Sequence, residues 1–135
     1  MRNVKPKKYL GQHFLNDENI ATKVVDSLSL SNYFNVLEIG PGTGVLTKYL
    51  IKKNINLKLV EIDNESVEFL KTHLSIDPLI ILQHDFLKLD LSNIFTENFA
   101  IIGNFPYNIS TQIIFKVLEY KNSVPELIGM FQKEV

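Results

Sequence analysis

The chain has 135 residues, 45% of them hydrophobic and 21% charged, with a formal net charge of −1; this describes one domain that buries roughly two thirds of the surface exposed by its unfolded chain. Near neutrality excludes a generally basic, duplex-coating protein, so any nucleic-acid contact must be local. The absence of cysteine excludes disulfides, thiolate metal sites and a cysteine nucleophile.

In chain order, Arg2, Lys5, Lys7 and Lys8 open the sequence without an acid. That suits phosphate contact by an N-terminal arm over residues 1–16, a solvated terminus being the alternative. His13, His73 and His84 lack metal-ligand spacing, so no metal is expected. No run approaches the roughly 20 apolar residues that span a bilayer and no signal peptide is visible, so a cytoplasmic protein without membrane contact is expected. Ile20, Ala21, Val24, Val25 and Leu28 repeat at helical spacing and predict a helix over 17–29. Val36, Leu37 and Ile39 predict a strand that ends at a glycine cluster, after which Val45, Leu46, Tyr49 and Leu50 resume helical spacing. Leu57, Leu59, Val60 and Ile62 predict a second strand. Val67, Leu70 and Leu74 predict a helix that stops before the Asp77-Pro78 turn.

Residues 79–83 read as a third strand, 98–102 as a fourth, Ile113 to Leu118 as a helix, and 126–131 as a fifth strand. Near-continuous apolar strands alternating with helices predict an α/β fold: a parallel sheet with helices on both faces and right-handed crossovers. Gln132 to Val135 follow the last strand with no covering helix. The domain over 1–135 therefore reads as truncated after about the fifth strand and as part of a longer protein.

Residues 38–44 (EIGPGTG) set three glycines at alternate positions between strand and helix, where missing Cβ atoms let backbone approach a ligand. The segment departs from the dinucleotide fingerprint, because Val45 or Thr47 stands at its third glycine position, and it is not a P-loop. Glu61 lies about twenty residues beyond Gly40, where α/β nucleoside-binding folds set a carboxylate against ribose hydroxyls. Asp63 competes for that role, but is better suited to cap the next helix. Asp85 could accept a hydrogen bond from an adenine amino group, or it could be a capping or turn carboxylate.

Gly103 to Asn108 stand at the end of the fourth predicted strand, where a parallel sheet opens its crevice. An adenine amino group is a poor nucleophile because its lone pair is delocalised into the ring. The Asn104 oxygen and a backbone carbonyl held rigid by Pro106 would accept both amino hydrogens and favour a pyramidal nitrogen aimed at a sulfonium methyl. Tyr107 offers an aromatic face to an unstacked base. An ordinary proline turn with a packed tyrosine is the structural alternative.

On these residues the chain resembles the ribosomal RNA adenine dimethyltransferase family, most closely its small-subunit branch. The likeness runs through KYLGQHFL (8–15), LEIGPGTGVLT (37–47), VEID (60–63), His84 to Phe86, NFPYNIST (104–111) and QKEV (132–135). The resemblance implies a Rossmann-like class I methyltransferase that uses S-adenosylmethionine and releases S-adenosylhomocysteine. It implies a monomer that adds two methyls to each of two adjacent adenosines in a hairpin near the 3′ end of 16S rRNA, on immature 30S subunits. It implies that His13 and Leu15 fold over the methionine end with Gly40 beneath it, that Glu61 holds the ribose and Asp85 the adenine amino group, and that Asn104 touches both cofactor and target. The candidate cofactor-binding set is His13, Leu15, Glu38, Gly40, Gly42, Gly44, Glu61, Ile62, Asp85, Phe86 and Asn104; the candidate catalytic set is Asn104, Phe105, Pro106 and Tyr107. Family members often carry asparagine in place of His13, and leucine or isoleucine in place of Phe105. They also add further strands and a small helical C-terminal domain that helps to grip RNA, so this span alone is expected to methylate poorly.

Three rivals remain open. A nicotinamide-dependent dehydrogenase shares the fold but gives no reason for Asn-Phe-Pro-Tyr after strand four. The large-subunit adenine methyltransferase of macrolide resistance has closely similar motifs. A non-catalytic RNA-binding assembly factor would tolerate loss of Asn104 or Glu61.

Overall fold

A computed structural model describes residues 18–131; the basic arm, the expected contacts His13 and Leu15, and Gln132 to Val135 lie outside the described residues. The elements run α1 (Glu18–Asp26), β1 (Asn35–Ile39), α2 (Thr47–Leu50), β2 (Asn56–Val60), α3 (Asn64–His73), β3 (Ile81–Leu82), β4 (Phe99–Phe105), α4 (Ser110–Glu119) and β5 (Glu126–Phe131). Short 3-10 turns fill Pro78–Ile80, Phe86–Lys88 and Leu91–Asn93. The strands pair in the order β3-β2-β1-β4-β5, and every pairing among the described residues is parallel.

Strand β1 lies at the centre with all five residues buried, as expected of a strand covered on both faces. Side chains alternate across it, so the core divides in two. On one face Ala21 and Val25 of α1, Leu50 of α2 and Leu70 of α3 pack on Val36, Leu59, Ala100 and Ile102. On the other, Ile113 and Val117 of α4 and Phe86 and Leu91 from the 3-10 turns pack on Leu37, Val60, Ile101 and Phe105. Each fully buried Leu, Ile or Phe contributes about 1.5–3 kcal/mol. A one-residue slip of β1 would exchange these partners, so the register is strongly specified.

The parallel sheet with helices on both faces is the architecture expected from the sequence, but several bounds differ. Helix α2 starts only at Thr47, because Gly40, Gly42 and Gly44 take φ of +63°, +58° and +84°, which hold the preceding backbone out of the helical region. Strand β2 stops at Val60 rather than Ile62, since Asp63 leaves the sheet to cap α3. Strand β3 has two residues instead of five: Asp77 accepts the Leu79 N–H and Pro78 opens a 3-10 turn, which commits that backbone elsewhere. Strand β4 runs on to Phe105 rather than ending at 102, because β5 partners it in register as far as Asn104 opposite Met130 and Phe105 opposite Phe131.

Candidate functional site

From β1 the chain moves outward through β2 to β3, then returns to the other side of β1 as β4. This reversal opens a crevice at the carboxyl ends of β1 and β4, where ligands bind in open α/β sheets. A cleft with a cavity volume of about 90 Å³ lies there, open to solvent. Each strand end contributes to its lining: Ile39, Gly40 and Gly42 after β1; Val60, Glu61 and Ile62 after β2; His84, Asp85, Phe86 and Leu87 after β3; and Asn104, Pro106 and Ile109 at and beyond β4.

Glu61 organises the glycine turn. Its Oε1 accepts the Gly42 N–H at 2.9 Å and its Oε2 accepts the Asp63 N–H at 3.0 Å. Burial pushes its carboxyl above the ordinary range, while the Asp63 and Gly42 amides pull it down and the Asp63 charge adds to the rise. The Ile62 amide is a third donor to this carboxylate, which retains acceptor capacity for a ligand hydroxyl. Asp63 caps α3, taking the Ser66 N–H and hydroxyl on Oδ2. At Gly40 a Cβ would meet nothing within 4 Å, so this backbone offers open room beside the acid. Ile62 adds 47% exposed apolar surface. Room over a glycine turn, an acceptor pair and an apolar wall together fit the ribose and base of S-adenosylmethionine.

Asp85 is a capping carboxylate, one of its two sequence readings: its Oδ1 accepts the Leu87 N–H at 3.0 Å, which starts the Phe86–Lys88 turn; the residue also lines the cleft. Asn104 is the penultimate residue of β4 and half-buried. Phe105 is wholly buried, with its ring over Gly129 and Gly103 and its centroid 5.2 Å from that of Phe131. A Cβ at Gly103 would sit 2.6 Å from the Ile39 carbonyl oxygen. The glycine there lets the strand end lie close to β1.

Four described residues of the expected sets are not part of the lining. Glu38 lies beneath the turn, 1% exposed, where the Thr47 hydroxyl donates to its Oε1. Full burial pushes its carboxyl up to about 8, the Thr47 bond opposing and the Glu61 charge adding to the rise. Gly44 faces α3, and a Cβ there would strike the Leu74 side chain. Phe105 is core, so only its backbone can serve the cleft. Tyr107 is 39% exposed, one residue past the lining Pro106.

Conversely, sequence reasoning did not place Ile39, Val60, His84, Leu87 or Ile109 in the site, although Ile39 and Val60 lie in predicted strands, His84 adjoins Asp85 and Ile109 follows the Asn-Phe-Pro-Tyr run. Among the described residues there is no cluster of three or more potential metal ligands, and no helix long and apolar enough to cross a membrane.

The family model described as ribosomal RNA adenine dimethylase matches residues 3–135. The chain is 57% identical to the ribosomal RNA small subunit methyltransferase A of Cytophaga hutchinsonii, covering 100% of this chain and 53% of that protein. It is 55% identical to the protein of the same name from Flavobacterium johnsoniae, covering 100% and 52%. The chain thus spans about half the length of these curated relatives. Among solved structures, the 23S rRNA methyltransferase ErmE superposes with a TM-score of 0.70 at 31% identity, over 83% of this chain and 45% of that one. A dimethyladenosine transferase from Plasmodium falciparum gives a TM-score of 0.68 at 28% identity, over 90% and 44%.

Proposed function

The chain belongs to the ribosomal RNA adenine dimethylase family, and from that premise we propose that it is the cofactor-binding part of an S-adenosylmethionine-dependent enzyme that methylates N6 of adenosines in small-subunit rRNA. The proposed reaction adds two methyls to each of two adjacent adenosines in a hairpin near the 3′ end of 16S rRNA. The enzyme acts as a cytoplasmic monomer on immature 30S subunits, with no metal. The observation that carries this reading is the convergence of Gly40, Gly42, Glu61, Asp85 and Asn104 on one cleft. High identity to proteins named for the small subunit favours that target over the large subunit.

Bound S-adenosylmethionine supplies an electrophilic methyl on a sulfonium. Glu61 accepts the ribose hydroxyls, through charge-assisted hydrogen bonds worth about 1.5–3 kcal/mol each, while continuing to hold the glycine turn. Asp85 accepts from the adenine amino group of the cofactor. The Asn104 oxygen and the Phe105 carbonyl, stiffened by Pro106, would accept the two amino hydrogens of the target adenine and so favour a pyramidal, more nucleophilic nitrogen. Tyr107 supplies the exposed ring on which the unstacked base lies. His13 and Leu15, which lie outside the described residues, would be further contacts of the methionine end. No strong base is required, because the attacked nitrogen becomes acidic only once methylated.

The test incubates the full-length protein with labelled methyl donor and unmethylated small and large ribosomal subunits, maps the product, and repeats with Asn104→Ala. The expected outcome is label on N6 of adenosine and a fall on the order of 10²-fold or more in the variant, with circular dichroism unchanged. Label in large-subunit RNA instead would move the target. RNA binding without transfer would return the non-catalytic reading.

A further inference from the structure

Lys116 sits in the middle of α4, half-buried, and lines a depression that shares Leu87 with the cleft. Its ammonium reaches out of the helix to two backbone carbonyls, those of Phe86 (2.5 Å) and Leu89. It also stands 5.1 Å from the centroid of the Phe86 ring. These carbonyls bracket the 3-10 turn that Asp85 opens, and Asp85 and Phe86 both line the cleft. One helical turn later the Tyr120 hydroxyl reaches Asp90 Oδ1 at 3.4 Å, so the same helix grips this segment at a second point.

The N-terminal end of α4 grows out of the other wall. Ile109 donates its N–H to the Pro106 carbonyl and its own carbonyl accepts from Ile113. Asn104, Pro106 and Ile109 line the cleft on that side. Helix α4 is therefore one stiff body with the Asn104–Pro106 wall at its start and, through Lys116, the Asp85–Phe86 wall at its middle. We infer that Lys116 is a positioning residue: it fixes the distance between the two walls and thereby holds Asp85 where it meets the amino group of an adenosyl ligand. This rests on the adenosyl-cofactor reading of the cleft and adds to it a residue that touches no ligand.

Partial burial lowers the Lys116 ammonium below the ordinary lysine range, and the carboxylates of Glu119, Asp85 and Asp90 oppose that fall. A methionine at 116 would keep the stem's packing while leaving both carbonyls without the donor, so the Asp85 turn would lose the hydrogen bonds that Lys116 gives it from α4.

The test measures dissociation constants of two probes, S-adenosylhomocysteine and S-inosylhomocysteine, which carries an oxygen where adenine has its amino group. The proteins are wild type, Lys116→Met and Lys58→Met. Lys58 is a control of the same chemistry: its ammonium holds the Ile94 carbonyl and stands 4.9 Å from the Phe95 ring centroid, outside the cleft lining. Lys116→Met is expected to weaken S-adenosylhomocysteine about tenfold and S-inosylhomocysteine by less than about twofold, while Lys58→Met leaves both unchanged. Equal weakening of the two probes, or no weakening of either, would overturn the positioning role even as wild-type binding upheld the cleft. Absence of S-adenosylhomocysteine binding by the wild type would overturn the cofactor reading and this inference with it. If Lys116→Met fails to fold, Lys116→Gln, which keeps a donor at shorter reach, carries the same comparison.

Discussion

Replacing Glu61 by glutamine would leave one carbonyl oxygen where two carboxylate oxygens now accept the Gly42 and Asp63 amides. Hydrogen exchange at those two amides should accelerate in Glu61→Gln, and S-adenosylhomocysteine should bind at least about tenfold more weakly, each lost charge-assisted bond being worth about 1.5–3 kcal/mol; unchanged exchange at Gly42 would mean that the bond does not hold the turn. Glu38 makes a prediction of a different kind. Its carboxyl lies at about 8 in the fold against an ordinary 4.5, so between those values the native state holds a proton that the unfolded chain has released. Stability from this group is therefore full below pH 4.5, erodes as pH rises and is gone above about 8. Thermal unfolding of Glu38→Gln followed across this window should show a flatter decline than wild type, and parallel curves would contradict the buried, protonated state. Glu61 was legible from its distance behind Gly40, and the capping of α3 by Asp63 from an acid set just before a helical pattern. The amide-bridging role of Glu61 was not legible, because it depends on bringing together residues far apart in sequence.

At the scale of elements, β4 and β5 meet through a pair of glycines. Gly103 and Gly129 are register partners, and the Phe105 ring fills the space that their missing side chains leave. Gly129→Ala forces a methyl into that ring and should cost about 1–3 kcal/mol. Phe105→Leu makes room, so the double variant should be more stable than the sum of the single changes, with a coupling of about 0.5–3 kcal/mol. Gly103→Ala should not be rescued in this way, because the added methyl also meets the Ile39 carbonyl, which cannot move without β1. Chemical denaturation of the set checks both statements, and strict additivity at Gly129 would contradict the packing. Most elements were readable from apolar periodicity, since β1, β2, β4 and β5 are short apolar runs bounded by turn residues. The length of β3 was not, because an apolar run such as 79–83 looks alike whether its backbone pairs or turns, and a side-chain cap at Asp77 decides between the two. The continuation of β4 through Asn104 was hidden for a related reason: polar residues ended the apolar run while β5 still supplied backbone partners.

At the scale of the molecule, the order β3-β2-β1-β4-β5 turns four separate sequence segments into walls of one cleft. Alternation of strands and helices made that arrangement legible, as the reversal beside β1 follows from parallel pairing and short connections. Which residues face the cleft was only partly legible. Glycines in one motif split by function, Gly40 and Gly42 toward the cleft and Gly44 toward Leu74, and spacing alone does not distinguish them. The proposal that this hollow takes an adenosyl cofactor is tested most directly by amide chemical-shift mapping of the labelled protein during titration with S-adenosylhomocysteine. Gly40, Gly42, Ile62, Asp85, Phe86 and Asn104 should shift together, saturating with one dissociation constant. Saturable shifts gathered instead around the depression beside Phe115 and Tyr120, or no shifts at any concentration, would contradict it.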